Sequence, residues 1–424
     1  MASSKKTNSV IVATIHLATL ALSLMLYQTQ SYAIPAFARR YRTSCSSCHV
    51  VIPKLNHFGR AFKANGYRIP PKDEAFIKQQ PDVKLGDDEW KEVWPKGIWP
   101  GSIPGIPPIA LRIDGDFVLN PQAEINSDFD IPREIEILSG GHAGDGFSYF
   151  LELAFEHDNF VLERAFGQFD RIGGSTLFNI KVGRYELAAA PFSRFNRRLT
   201  SSDFITSQFK ARPGGVSFAQ RQQGLELWGA RSGPVHGGFE YGIGIVNGTG
   251  SNKDNNSAKD IYYRFSYKFG GFGVAGSKTK KAAKKLKQTN NWRDDSIKVG
   301  TFGYFGTAGP STLENKFDRI GFDFDLWYRD LNLFGIFMHG RELKNSFEEF
   351  SFNTYFIEAD YVFLPWVIGI LRVERVIRPG PDIQRIVPGV VFAYRANIRL
   401  VNEAEIYRNN SGDSLIRLRL DFLF

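Results

Sequence analysis

"SLIRLRLDFLF", residues 414–424, decides the fold. Ile416, Leu418, Leu420, Phe422 and Phe424 alternate with Arg417, Arg419 and Asp421. A period of two is a β-strand with two unlike faces. In a soluble sheet the apolar face would meet a core. In a transmembrane barrel it meets lipid, and the charged face lines the lumen. The same split recurs upstream. Ile398, Leu400, Ala404 and Ile406 oppose Arg399, Glu403, Glu405 and Tyr407, and Leu371 and Val373 oppose Arg372 and Glu374. Phe147, Tyr149, Leu151, Leu153 and Phe155 oppose Ser148, Glu152 and Glu156.

Segments of about ten residues, separated by Gly, Pro, Asn and Asp, fill residues 107–424. This density favours a barrel over a soluble sandwich. The terminal Phe424 resembles the usual last residue of outer-membrane barrels. Seventeen candidate strands can be marked between 109–119 and 414–424, one of them over 271–278. A single-chain bacterial barrel with both ends in the periplasm needs an even number. One segment in the middle third is therefore in excess, and about 16 antiparallel strands are expected. The longest irregular stretches, 187–222 and 279–295, are expected as extracellular loops. They are basic, with Arg194, Arg197 and Arg198 in one and six lysines over 278–287 in the other. A solvated charged loop accounts for them, and contact with anionic polymers is the alternative.

Composition supports this class. The 424 residues carry 53 Lys and Arg against 44 Asp and Glu, a net +9 with no concentrated stripe, so nucleic acid is not expected as a partner. Aromatic residues reach 14%, with 37 Phe. Lys5 and Lys6, an apolar run from Val10 to Leu26 and Ser31-Tyr32-Ala33 form a secretory signal pattern over residues 1–33. No later run reaches the roughly 18 apolar residues of a spanning helix. An exported chain of this kind enters a membrane as a closed barrel, with lipid as its outer partner.

Residues 34–106 form a different unit. It holds both cysteines of the chain, Cys45 and Cys48, with His49 directly after. A disulfide here would close a tiny loop and stabilise little. Zinc would need more thiolates or histidines nearby, and a redox dithiol would need a surrounding βαβ pattern. Cys-x-x-Cys-His is instead the attachment signature of one c-type haem, with both thiols bonded to the macrocycle and His49 as proximal ligand. Pro53 suits a helix start and Gly66 its stop, with Leu55, Phe58 and Phe62 as one apolar stripe. The Trp/Pro/Gly stretch from Trp94 to Pro108 reads as an extended linker. So small a unit cannot enclose a haem alone. A wide barrel has room to hold it as a lumen plug.

The distal ligand is open. His57 shares the helix next to the attachment site, His142 lies in a Gly-rich turn, and His157 continues the lipid-facing parity of Leu153 and Phe155. His236 shares the parity of Glu240 on the lumen side and ranks first, followed by Met338 or His339, whose strand looks apolar on both faces. A sixth position without a protein ligand is the further alternative. Glu152, Glu156, Glu358, Asp360, Glu403 and Glu405 are lumen carboxylates that could offer oxygen ligands to passing Fe(II) or simply pair with lumen arginines.

The stretch "IPAFARRYRTSCSSCHVVIPKLNHFGRAFKANGY", residues 34–67, resembles the N-terminal cytochrome segment of the fused cytochrome–porins, outer-membrane iron oxidases of iron-oxidising bacteria. The likeness rests on Cys45, Cys48 and His49, Pro53-x-Leu55, Phe58-Gly59 and the closing Gly66-Tyr67. It implies oxidation of extracellular Fe(II), with electrons passed to a soluble periplasmic cytochrome c. It carries over no iron-binding residue. A porin with a haem-bearing plug, or a conduit running outward to an external acceptor, are the other functions this layout allows.

Overall fold

The computed structural model describes residues 36–69, 83–84, 90–93, 95–96, 102–103, 108–144, 146–156, 159–189, 191–192, 198–211, 217–218, 220–250, 252–276, 290–310, 315–344, 350–409 and 411–424. The leader expected over 1–33, most of the linker, Arg194, Arg197, His157 and the lysine run 278–287 lie outside them.

Sixteen antiparallel strands form a closed barrel. They are β1 Ile109–Leu119, β2 Ser127–His142, β3 Phe147–Glu156, β4 Asn159–Phe169, β5 Asn179–Tyr185, β6 Gln222–Ser232, β7 Gly238–Val246 and β8 Asp260–Gly270. The others are β9 Ser296–Ala308, β10 Asn315–Tyr328, β11 Leu331–Lys344, β12 Phe350–Leu364, β13 Val367–Ile377, β14 Ile383–Arg395, β15 Ile398–Tyr407 and β16 Leu415–Leu423. Each pairs with its neighbours in sequence, and β16 closes on β1 with Leu420 opposite Gly115 and Asp421 opposite Asp114. The period of two maps as expected. Leu420, Leu371 and Val373 face outward and are exposed, while Arg419, Asp421, Arg372 and Glu374 face inward and are buried.

The surplus segment is 271–278. Gly270 and Gly271 both adopt positive φ, 72° and 58°, and end β8 there. Val274 is apolar because it packs with Ala64 and Ala230, not because it joins the wall.

The two long connections also differ from expectation. Residues 186–221 link β5 to β6, and 271–295 link β8 to β9. Three strands separate them, so in an up-and-down barrel they leave opposite ends. The β8–β9 connection leaves the end that holds Ile109 and Phe424, here called the terminal end, and the β5–β6 connection leaves the far end. The described part of the latter is no surface loop. Leu199, Thr200, Ser201, Ser202 and Phe204 are buried in the lumen, and a helical turn follows at Ile205–Gln208.

Two inserts therefore fill the lumen. The plug, residues 36–69, touches the terminal-end residues Ile109, His142, Gly144 and Ala275. The in-folded segment 198–211 occupies the far side. It belongs to an apolar lumen cluster that includes Phe192, Phe204, Phe334, Met338 and Phe356.

Candidate cofactor site

The plug begins with α1, Ala36–Tyr41. Ser44 caps a single 3-10 turn, Cys45–Ser47, and the Cys48 amide donates to the Cys45 carbonyl at 3.1 Å. This turn brings the two thiols to one cavity. A short ladder then sets His49 opposite Leu55. The chain reverses at Pro53, so Pro53 does not start the helix. Asn56 does, accepting from the Gly59 amide at 2.9 Å as N-cap of α2, His57–Ala64. Its amide group also donates to the Ser47 carbonyl at 3.1 Å, and its backbone N–H donates to the Cys48 carbonyl at 2.9 Å. Helix α2 lies so close to the cysteine turn that a Cβ on Gly59 would sit 2.1 Å from the Cys48 oxygen. Gly66, at φ 66°, ends the helix as expected.

His49 is oriented by its own turn. Its Nδ1 lies 3.2 Å from the Pro53 carbonyl, which can only accept, so the proton sits on Nδ1 and Nε2 keeps a free lone pair. A backbone carbonyl behind one ring nitrogen is the usual way a metal-ligating histidine is fixed. Burial holds the ring neutral, with its pKa lowered to about 4. Burial also pushes Cys45 up to about 11 and Cys48 up to about 12. Thiols held protonated are ill suited to exchange chemistry, which proceeds through the thiolate.

The cavity reached by Cys45, Cys48 and His49 has two unlike sides. Phe37, Tyr41, Ile52, Leu55, Phe58 and Phe62 give it an apolar side from the plug. From the barrel and the in-folded segment it takes five arginines, Arg112, Arg164, Arg198, Arg399 and Arg419, beside Glu136 and the apolar Ala110, Leu138 and Phe150. These guanidiniums are held by carboxylates. Arg112 and Arg399 share Asp421, at 2.7 and 2.6 Å, and Arg419 pairs with Asp116 at 2.6 Å. A haem has the same division, a flat apolar macrocycle with two carboxylates on one edge. Two thiols, a histidine with its nitrogen free, an apolar pocket and an arginine wall fit that group. When bound, it would supply a one-electron centre. Cys45 and Cys48 would tether it, His49 would ligate it, and the arginines would face its carboxylates.

The remaining candidates lie elsewhere. His236 is in the turn between β6 and β7, its Nδ1 3.3 Å from the Gly271 carbonyl. Met338 is buried on the lumen face of β11 within the apolar cluster. His339 is on the opposite face, 3.0 Å from Asn353 Oδ1. None of the three lines the cavity. His57 stacks on Phe272 at 3.9 Å between centroids, and His142 contacts Arg40. The lumen carboxylates are engaged. Arg164 holds Glu152, Arg372 holds Glu358 at 3.3 Å, and Lys54 holds Asp360. Arg385 holds Glu405 at 2.6 Å, and Glu403 accepts from the Ser201 and Ser202 amides. The cationic cavity side was not singled out from the sequence. Arg399 and Arg419 were visible only as the inward parity of their strands, and Arg198 only as part of a basic connection.

No family model matches the chain, and no curated protein matches it. Solved structures do. An anion-selective porin from Comamonas acidovorans is similar over 74% of this chain and 98% of its own, at 10% identity and a TM-score of 0.53. OmpT of Vibrio cholerae matches over 76% and 98%, at 7% identity and a TM-score of 0.52. OmpF of Salmonella typhi, solved with daunomycin, matches over 74% and 97%, at 8% identity and a TM-score of 0.51. The barrel is thus a porin-type barrel.

Proposed function

We infer that the protein is an outer-membrane cytochrome that carries electrons across the membrane through a haem held in its barrel. Extracellular Fe(II) is the donor and a soluble periplasmic cytochrome c the acceptor. The observation that carries this reading is the convergence of Cys45, Cys48 and His49 on one cavity with an apolar side and an arginine side. Bacterial residence in the outer membrane is supported by the porin-type barrel and its outward apolar face. The terminal end would face the periplasm, since the tight turns that join Tyr328 to Leu331, Leu364 to Val367 and Arg395 to Ile398 lie there. The need for such a device is physical. Tunnelling falls exponentially with distance, and the apolar band of a barrel is about 25 Å tall.

The test is direct. Full-length protein matured in a host that attaches c-type haem should be coloured, and Fe(II) should reduce it. Cys48→Ala should remove both the haem and the reduction. Stable covalent haem in that variant would refute the reading. A redox titration sets the direction of flow, because a strongly negative potential excludes Fe(II) as donor at acid pH and favours the outward route.

A channel is the second reading, favoured by the porin neighbours. Against it stands a lumen occupied, among the described residues, by the plug and the in-folded segment. Arg372, Glu358, Glu374, Glu152 and Asp421 face inward yet are at most 1% exposed, where an open aqueous pore would wet them. Planar-bilayer conductance of the haem-loaded protein decides between the two.

A further inference from the structure

The lumen also holds a pocket at the far mouth, lined by Asp203, Phe209, Asp382, Gln384, Arg385 and Tyr407. It lies on the other side of the in-folded segment from the cofactor cavity. The segment contributes to both. Arg198 and Thr200 line the cofactor cavity, and Asp203, Ile205 and Gln208 line the mouth pocket. Two residues separate Thr200 from Asp203, and the three steps span at most about 11 Å of extended chain. The side chains shorten it further, because Arg198 forms an ion pair with Asp203. One guanidinium in the cofactor cavity thus touches one carboxylate at the mouth. A second bonded route runs beside it. Arg385, at the mouth, donates to Glu374 at 2.7 Å. Glu374 pairs with Arg372 at 3.2 Å, and Arg372 donates to Thr200 at 2.9 Å.

We propose that external electrons enter at this mouth pocket and cross to the cofactor cavity through the Arg198–Asp203 pair, which makes the in-folded segment a partition closed to solutes and thin enough for an electron. This rests on the haem reading above. A ferrous ion at the mouth loses one electron and becomes ferric, and the haem iron gains that electron. No bond forms or breaks and no proton moves.

The test uses the haem-loaded full chain in vesicles, with the far end outward. Gln384→Cys, on the mouth pocket, is labelled there with a bulky membrane-impermeant maleimide. Reduction by external Fe(II) should slow by about tenfold or more, while reduction by a reductant sealed inside the vesicles is unchanged. A labelled protein reduced by external Fe(II) at the unlabelled rate overturns the proposal. Equilibrium potentials supply a readout independent of rate. Arg198→Met removes a cation from the cofactor cavity and should lower the potential, and Asp203→Asn removes an anion from the mouth pocket and should raise it. Potentials unmoved by either variant overturn the assigned route. A haem stain on a denaturing gel of the unlabelled protein separates the two failures: no covalent haem refutes the haem reading and this proposal together, whereas haem with an unblocked rate refutes the entry site alone.

Discussion

The plug entering from the terminal end and the segment folded in from the far end both fill the lumen, but they are stabilised differently. The plug has a core of its own. Phe37, Tyr41, Phe62 and Tyr67 form a ring cluster with centroids 5.1 to 6.2 Å apart, and Asn56 caps its helix. The far segment instead gives its backbone to the wall. Glu403 takes the Ser201 and Ser202 amides at 2.8 and 2.6 Å, Glu374 takes the Ile205 amide at 2.8 Å, and Arg372 grips Thr200 and Ser202. The part proposed to accept a cofactor carries its own fold. A part that must only stand across the lumen borrows order from buried charges on the strands.

The largest effect should break the comparison at the plug. Cys48→Ala should abolish covalent haem, read by haem staining, while the barrel keeps its heat-modifiable gel mobility. Loss of the barrel as well would mean that the two inserts are not independently ordered. Next is the far segment. Arg372→Ala removes the cation between Glu358 and Glu374, all fully buried. Stranding buried carboxylates costs about 3–5 kcal/mol. Thermal unfolding in detergent should show that loss, and bilayer conductance should appear as the partition loosens, with haem retained. Lys54→Met tests the plug's anchor. Lys54 bonds Asn332 Oδ1 at 2.6 Å, pairs with Asp360 and lies 4.5 Å from the Phe334 ring centre. The methionine keeps the packing but leaves Asp360 buried, so a loss toward the lower end of that range, about 3 kcal/mol, is expected.

These contrasts explain what could be read from the sequence. Strands such as β16 and β15 were legible because their inward residues are charged and their outward ones apolar. β11 was ambiguous for a physical reason: its lumen face, Phe334, Ile336 and Met338, packs on apolar residues of the in-folded connection, so both faces are apolar. The 271–278 segment misled for a similar reason, since Val274 is apolar to meet the plug. The Cys45-x-x-Cys48-His49 motif was visible because its chemistry is local. The arginine side of its cavity was not, because Arg112, Arg399 and Arg419 come together only when β16 closes on β1. Nor could the sequence show Arg198 and Asp203 on opposite sides of one partition.

A smaller effect should follow pH. His57 is stacked on Phe272 and faces Asp294, Arg60 and Lys268. Burial lowers its pKa to about 4 from an ordinary 6.5. The unfolded chain therefore takes the proton first. The stability due to neutral His57 is complete above about pH 6.5, falls as pH drops toward 4, and levels off below that. His57→Phe should flatten this window in thermal melts, and an unchanged slope would place the dependence on another group.

The smallest effect separates two duties of Asn56. Its carbonyl oxygen caps α2 through Gly59, and its amide group holds the Ser47 carbonyl of the cysteine turn. Asn56→Asp keeps the acceptor and removes the donor, whereas Asn56→Ala removes both. A cap alone is worth about 1 kcal/mol, and a further hydrogen bond about as much. If the plug is ordered from within, Asn56→Ala should cost about 2 kcal/mol and Asn56→Asp about half of that. Both should lower the fraction of chains that attach haem, because the same side chain sets the turn that presents Cys45 and Cys48. The conductance expected on loosening the far segment should stay absent in both variants, since no bond of Asn56 reaches Arg372, Glu374 or Glu403. Conductance in the alanine variant would show that the plug, and not the far segment, closes the barrel.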